Sequence, residues 1–159
     1  MLLTDKFIML WQVNCKVNYR MEELRLSDFP ILYTTQAVNE DGIEGHAYIP
    51  NGLEVAVSSP LKAVPGSNPE QLIGLALSTC LNATLEAIEK EHSQTHQSKV
   101  VTTVKMSRDR FGYQFFLDAR VTIPEVDAET AARWLAIAET RCPVAKLVGP
   151  SANVTIQLA

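Results

Sequence analysis

The sequence contains no apolar run near the ~20 residues that a helix needs to cross a bilayer. The stretch Phe7 to Val13 is broken by Gln12 and has neither a basic leader nor a small-residue cleavage site, so no secretory signal and no membrane partner is expected. A surplus of positive charge is missing too. Eighteen acidic residues against 14 basic ones give a formal charge of −4, spread along the chain, which leaves no cationic face for nucleic acid. Cysteine is scarce: three residues, an odd number, with no C-x-x-C spacing. That pattern does not suit a secreted disulfide framework and points to reduced thiols in a cytoplasmic protein. There is no internal repeat, no low-complexity run and no linker long enough to separate a pair of domains. The 159 residues, 47% of them hydrophobic, fit one globular domain with a substantial core and a small-molecule or protein partner.

Short Pro, Gly and Asn clusters partition the chain. Ile31 to Val38, Gly42 to Ile49 and Leu53 to Ser59 read as three strands of an antiparallel meander. Asn51-Gly52 is expected to form a type I′ hairpin turn, because both residues tolerate positive φ. Asn68-Pro69-Glu70-Gln71 writes a helix start, with Asn68 as N-cap, Pro69 at the first helical position and Gln71 closing a capping box. This helix should run to about Glu91. Apolar residues cover most of its faces over the first turns, which predicts a buried central helix. Lys99 to Arg108 and Tyr113 to Ile123 read as a second hairpin with strict alternation in the latter. Asp127 caps a second helix that ends at Arg141-Cys142-Pro143, where proline prevents simple continuation, and Val154, Ile156 and Leu158 mark a last strand. The expected order is β-β-β-α-β-β-α-β, an α+β domain over residues 29–159. Residues 1–28 are expected to be an N-terminal extension, a helix or strand packed on the body.

Cys80 lies about three turns inside the apolar helix and Cys142 closes the second one. On position alone, Cys80 reads first as an inert core cysteine, since free cysteine behaves as a small hydrophobe. Two separated motifs carry more weight: Asn68-Pro69-Glu70-Gln71-Leu72 followed by Ser78-Thr79-Cys80, and Arg141-Cys142-Pro143-Val144-Ala145-Lys146 followed by a terminal strand. In this order they resemble the signature segments of the OsmC/Ohr family, the osmotically inducible protein C and organic hydroperoxide resistance proteins, over roughly Ile31 to Leu158. The resemblance implies antiparallel sheets around the central helix and an intertwined homodimer with two active sites near the subunit interface. It also implies a thiol-dependent peroxidase acting on organic hydroperoxides in oxidative stress defence. In that scheme Cys80 is peroxidatic, Cys142 resolves the product as a disulfide, and Glu70 is the carboxylate that organises the site. Glu70 also reads as a first-turn acid favoured by the helix dipole. A dithiol, of lipoyl type in the family, is the implied reductant, with no cofactor and no metal. Closing the 62-residue interval between the cysteines should add about 4 kcal/mol of stability in the chain-entropy model.

One family feature is not found. The peroxidases carry an arginine on an early strand that pairs with the reactive cysteine, and aligning Gly42-Ile43-Glu44-Gly45-His46 with that strand places Glu44 there. An unperturbed thiol is only ~3% ionised near neutrality, so an activating cation matters. Candidate replacements are His46, Lys62, Arg20, Arg25 and Arg141, with Arg108 and Arg110 expected on a solvated turn. If none serves, the alternative is a non-peroxidatic binding or redox-sensing protein with an apolar cleft. His92 and His96 have i, i+4 spacing that could suit a metal, but they fall in a polar stretch expected to be a solvated helix end. Cys15 is expected to be structural. Phe116 and Trp134 fall outside the apolar registers of their elements, suggesting an interface or a hydrophobic mouth.

Overall fold

A computed structural model describes residues 30–159. The expected extension over residues 1–28, together with Cys15, Arg20 and Arg25, lies outside the described residues. By their internal contacts the described residues divide into two compact units, 30–38 with Tyr48–Leu53, and Asn39–Ala47 with Glu54–Ala159. Among the described residues of the first unit, the Gly52 amide donates to the Ile49 carbonyl at 2.8 Å and Asn51 has φ 61°. The turn therefore centres on Pro50-Asn51, one residue earlier than Asn51-Gly52. Proline presets φ at the first central position and asparagine tolerates positive φ at the second.

Three short strands, β1 (Val38–Asn39), β2 (Gly45–Tyr48) and β3 (Glu54–Val57), pair in the order β1-β2-β3. The long first strand expected over 31–38 is reduced to its last residue. Alternation alone does not make a strand, since the backbone groups need a neighbouring strand to bond to, and that pairing begins only at Val38. Asp41 accepts from the His46 amide and packs against Gly45, where a Cβ would stand 2.3 Å from it. Only glycine, at φ 153°, fits there.

Ser67 pairs with β3 through Ser58 N to Ser67 O and Ser67 N to Ala56 O, each 2.8 Å, and so anchors the start of helix α1 (Pro69–Glu91). Asn68 caps it as expected, its side chain accepting from the Gln71 amide at 2.9 Å. Strands β4 (Lys99–Arg108) and β5 (Tyr113–Thr122) form the expected antiparallel hairpin. Helix α2 (Ala128–Arg141) follows behind its Asp127 cap, then a short helix α3 (Pro143–Val148) that the sequence reading lacked, then β6 (Val154–Leu158). β6 pairs with β5 in parallel, Leu117 opposite Val154 through Val121 opposite Leu158. The second sheet, order β4-β5-β6, is thus mixed and not antiparallel throughout. A parallel partner requires a crossover, and α2 with α3 supplies it.

Contrary to the expectation that no segment approaches a membrane span, α1 is long and apolar enough to cross a bilayer by length and composition; Leu77, Leu81, Leu85 and Ile88 are nevertheless fully buried, as in the core helix of a folded domain. They meet Leu117, Ala119 and Val121 of β5 and Ala131, Leu135 and Ala138 of α2. These four recur every three to four residues and make one stripe. The rest of the helix is less enclosed than its composition suggests: Leu75 is 63% exposed.

The polar end of α1 is exposed from Lys90 to Thr95, as expected of a solvated helix end, but Glu89 turns inward. Glu89 is 2% exposed and accepts from Ser98 Oγ at 2.6 Å, while His96 Nδ1 pairs with its other oxygen and His96 Nε2 meets Asn82 Nδ2 at 3.2 Å. Burial would raise the Glu89 carboxyl, but the hydrogen bonds from Ser98 and His96 outweigh it and hold the group below the usual glutamate range. His92 turns away from His96, with Nδ1 at 2.8 Å from the Ile88 carbonyl and its ring 4.8 Å from that of Trp134. Trp134 is buried at 3% exposure, contrary to the expectation of an interfacial residue, because α2 lays it against α1. Phe116, on the outer face of β5, is 38% exposed.

Candidate functional site

The site is built where α1 passes the junction of α2 and α3. Cys80 stands mid-helix, half-buried, and the Thr84 hydroxyl donates to its carbonyl at 2.9 Å. Cys142 is fully buried and ends one helix while starting another. Its amide donates to the Ala138 carbonyl at 2.8 Å as the last bond of α2, and its carbonyl accepts from Lys146 at 3.0 Å in α3. Pro143 makes this break, since it has no N–H to continue α2 but suits the first position of a new helix. Between the two helices Cys142 adopts extended backbone, φ −71° and ψ 118°, which directs its side chain back to α1.

The two thiols, 62 residues apart in sequence, meet with Sγ–Sγ 3.1 Å, Cys142 donating its S–H to the Cys80 sulfur. The Ala145 amide in turn reaches Cys142 Sγ at 3.4 Å. Burial pushes the Cys142 thiol above its ordinary pKa; the Ala145 hydrogen bond works against this and the neighbouring Cys80 adds to it. Cys142 is therefore held as a neutral donor. A disulfide needs the sulfurs at about 2.05 Å, roughly 1 Å closer, which side-chain rotation can supply.

Glu70 is not part of this pair. It precedes Cys80 by ten residues on the same helix, about 15 Å of rise. Its Oε2 is buried without a hydrogen-bond partner among the described residues. It borders two cavities. One, of about 410 Å³, runs along Gly74, Leu75, Ser78, Thr102 and Val104, where Ser78 Oγ donates to Thr102 Oγ1 at 2.8 Å. The other, of about 400 Å³, is walled by Ile43, Leu61, Met106, Tyr113 and Phe115.

None of the described candidate cations makes an ion pair or hydrogen bond with Cys80. Lys62 pairs with Glu44, His46 approaches Glu54 at 4.0 Å, and Arg141 binds Glu91. Arg108 and Arg110 lie over Tyr113 and Phe111 at the β4-β5 end, as expected of a solvated turn. Glu44 thus neutralises a nearby lysine and does not face the sulfurs. Sequence reasoning missed the cap that Cys142 gives to α3, although Pro143 followed by apolar Val144 and Ala145 is a helix-start signal.

The chain has relatives among known proteins. A family model described as OsmC-like protein matches residues 62–157, which include both cysteines and Glu70. An organic hydroperoxide resistance protein-like protein of Staphylococcus aureus (strain MSSA476) is 29% identical over 134 residues, covering 80% of this chain and 96% of its own length. A solved structure from Lactobacillus casei ATCC 334, assigned as a redox protein, is 50% identical, with TM-score 0.78, and covers 84% of this chain and 94% of that one. The organic hydroperoxide resistance protein OhrB of Bacillus subtilis is 25% identical, with TM-score 0.73, and covers 81% and 100%. On the extent of that family match and the agreement in fold, the chain belongs to the OsmC-like protein family.

Proposed function

We propose that this protein is a thiol-dependent organic hydroperoxide reductase. The observation that carries the reading is the contact between Cys80 and Cys142 at 3.1 Å, with the buried member held as a thiol. In the proposed cycle the Cys80 thiolate attacks the outer oxygen of the hydroperoxide, the O–O bond breaks and an alcohol leaves, and Cys80 becomes a sulfenic acid. The Cys142 thiol displaces water from that sulfenic acid to form the disulfide, which an external dithiol, of lipoyl type by analogy with the family, reduces by exchange. Closure at a preformed contact protects Cys80 from further oxidation. The names of the Staphylococcus aureus and Bacillus subtilis relatives support a role in hydroperoxide resistance, and the cytoplasm, where thiols stay reduced, suits the cycle.

A second copy completes the proposal. Glu70 stands about 15 Å from Cys80 on one helix, too far to act within the chain, and α1 leaves Leu75 exposed beside it. In an intertwined homodimer the Glu70 end of one α1, with its apolar cavity, faces the Cys80 of the other. That cavity's walls of Ile43, Leu61, Met106, Tyr113 and Phe115 favour alkyl or aromatic hydroperoxides over hydrogen peroxide.

The test uses cumene hydroperoxide with a dithiol reductant. Cys80→Ser should abolish consumption, whereas Cys142→Ser should react once and accumulate sulfenic and then sulfinic acid on Cys80. Undiminished turnover in Cys80→Ser removes the reading. A second reading, a non-peroxidatic binding or redox-sensing protein, is favoured by the lack of any basic partner on Cys80 among the described residues. It expects a wild type that leaves the hydroperoxide untouched.

A further inference from the structure

The ends of α1 and α2 are tied by a charged pair outside the thiol site. Arg141, the last residue of α2, donates from Nη1 to Glu91 Oε2 at 2.8 Å and from Nη2 to Glu91 Oε1 at 2.7 Å, the two-pronged geometry that best fixes a guanidinium on a carboxylate. Arg141 is the immediate neighbour of Cys142, and Glu91 lies eleven residues beyond Cys80 on the same helix, about 16 Å along its axis. Apolar packing of Ala138 and Ala145 seats the α2 terminus on α1, and two polar contacts at separated points, the sulfur contact and the ion pair, add direction to that seat. The ion pair stands one residue from Cys142, where extended backbone between two helices sets the direction of the thiol.

We propose that Glu91 and Arg141 are positioning residues, a clamp that keeps the Cys142 thiol on Cys80 and so favours disulfide closure. This rests on the reading that these two cysteines cycle as a pair. Neither side chain touches a sulfur. The contact between His92 and Trp134 braces the same two helices but lies two turns back on α2, so it leaves the direction of Cys142 to the clamp.

The test is an equilibrium that contains no peroxide. The full chain is poised in mixtures of reduced and oxidised glutathione, in which the protein dithiol gives two electrons and two protons to glutathione disulfide, yielding the Cys80–Cys142 disulfide and two glutathione molecules. Peptide mapping reads the fraction bridged and separates it from Cys15. Glu91→Gln and Arg141→Gln should each shift the equilibrium constant roughly two- to five-fold toward the dithiol, the range expected for one partly exposed ion pair. Glu91→Arg combined with Arg141→Glu should bring it back, which a general loss of packing does not do. An unchanged constant in both single variants, a reversed pair that stays at the single-variant level, or a wild type that forms no such bridge overturns the clamp. A wild type that bridges in glutathione yet ignores hydroperoxide sinks the peroxidase reading and leaves the clamp standing.

Discussion

Cys80 and Cys142 share a sulfur contact within different surroundings, and the proposed division of labour follows from that difference. Cys142 has no exposed surface and donates its hydrogen, while half-buried Cys80 receives it. The attacking group in thiol–peroxide chemistry is the thiolate, so the buried thiol is the less suited of the pair to make the first attack; in resolving, it gives up its proton as the sulfenic oxygen leaves as water. Glu89 is the other residue whose chemistry is set by its neighbours. Its carboxyl lies below the ordinary glutamate range in the folded state, so it binds a proton less readily folded than unfolded. The stability it contributes is present above about pH 4.3 and is lost as pH falls through the folded value. Urea unfolding at about pH 7, 4 and 3 should show that loss, and Glu89→Gln should flatten it; equal acid sensitivity in the variant contradicts the assignment. Glu89 falls four residues after Leu85, on the buried stripe of α1, whereas Glu86, Lys90 and Glu91 lie off it. Its partners were not legible, since Ser98 and His96 reach it by folding back over the helix end, a tertiary event with no periodic signal.

At the scale of elements, what was legible was what local chemistry decides. The start of α1 follows from Asn68 and Pro69, and the β4-β5 hairpin from alternation, and both stand where expected. What was not legible depended on partners. The 31–38 strand pattern found pairing only at its end, β6 chose a parallel neighbour, and α3 emerged because Cys142 serves as its cap. For the candidate site, two motifs singled out Cys80, Cys142 and Glu70; the two sulfurs meet, whereas Glu70 stands apart by a helix rise that motif spacing does not reveal. The packing of α1 gives its own test. Leu81 follows Cys80 directly and is fully buried in the core. Leu81→Ala should cost about 2–5 kcal/mol by chemical denaturation, since the surrounding side chains close only some of the cavity. A loss below about 1 kcal/mol would mean that α1 is not packed as described.

At the scale of the whole molecule the proposed cycle engages two copies of the chain. Leu75 is 63% exposed on the helix that carries both Glu70 and Cys80, where an apolar side chain gains most from a covering partner. Leu75→Glu should shift the sedimentation coefficient from dimer to monomer and lower hydroperoxide turnover with it, because Glu70 then has no second site to serve. A wild type that sediments as a monomer removes the intertwined arrangement. The central claim, that the paired sulfurs reduce hydroperoxides, is tested most directly by counting thiols in the reduced wild type before and after one equivalent of cumene hydroperoxide. The chain has three cysteines, and the account predicts that titratable thiol falls from three to one per chain, with Cys80 and Cys142 recovered as a single bridged peptide pair. A titre that stays at three contradicts it.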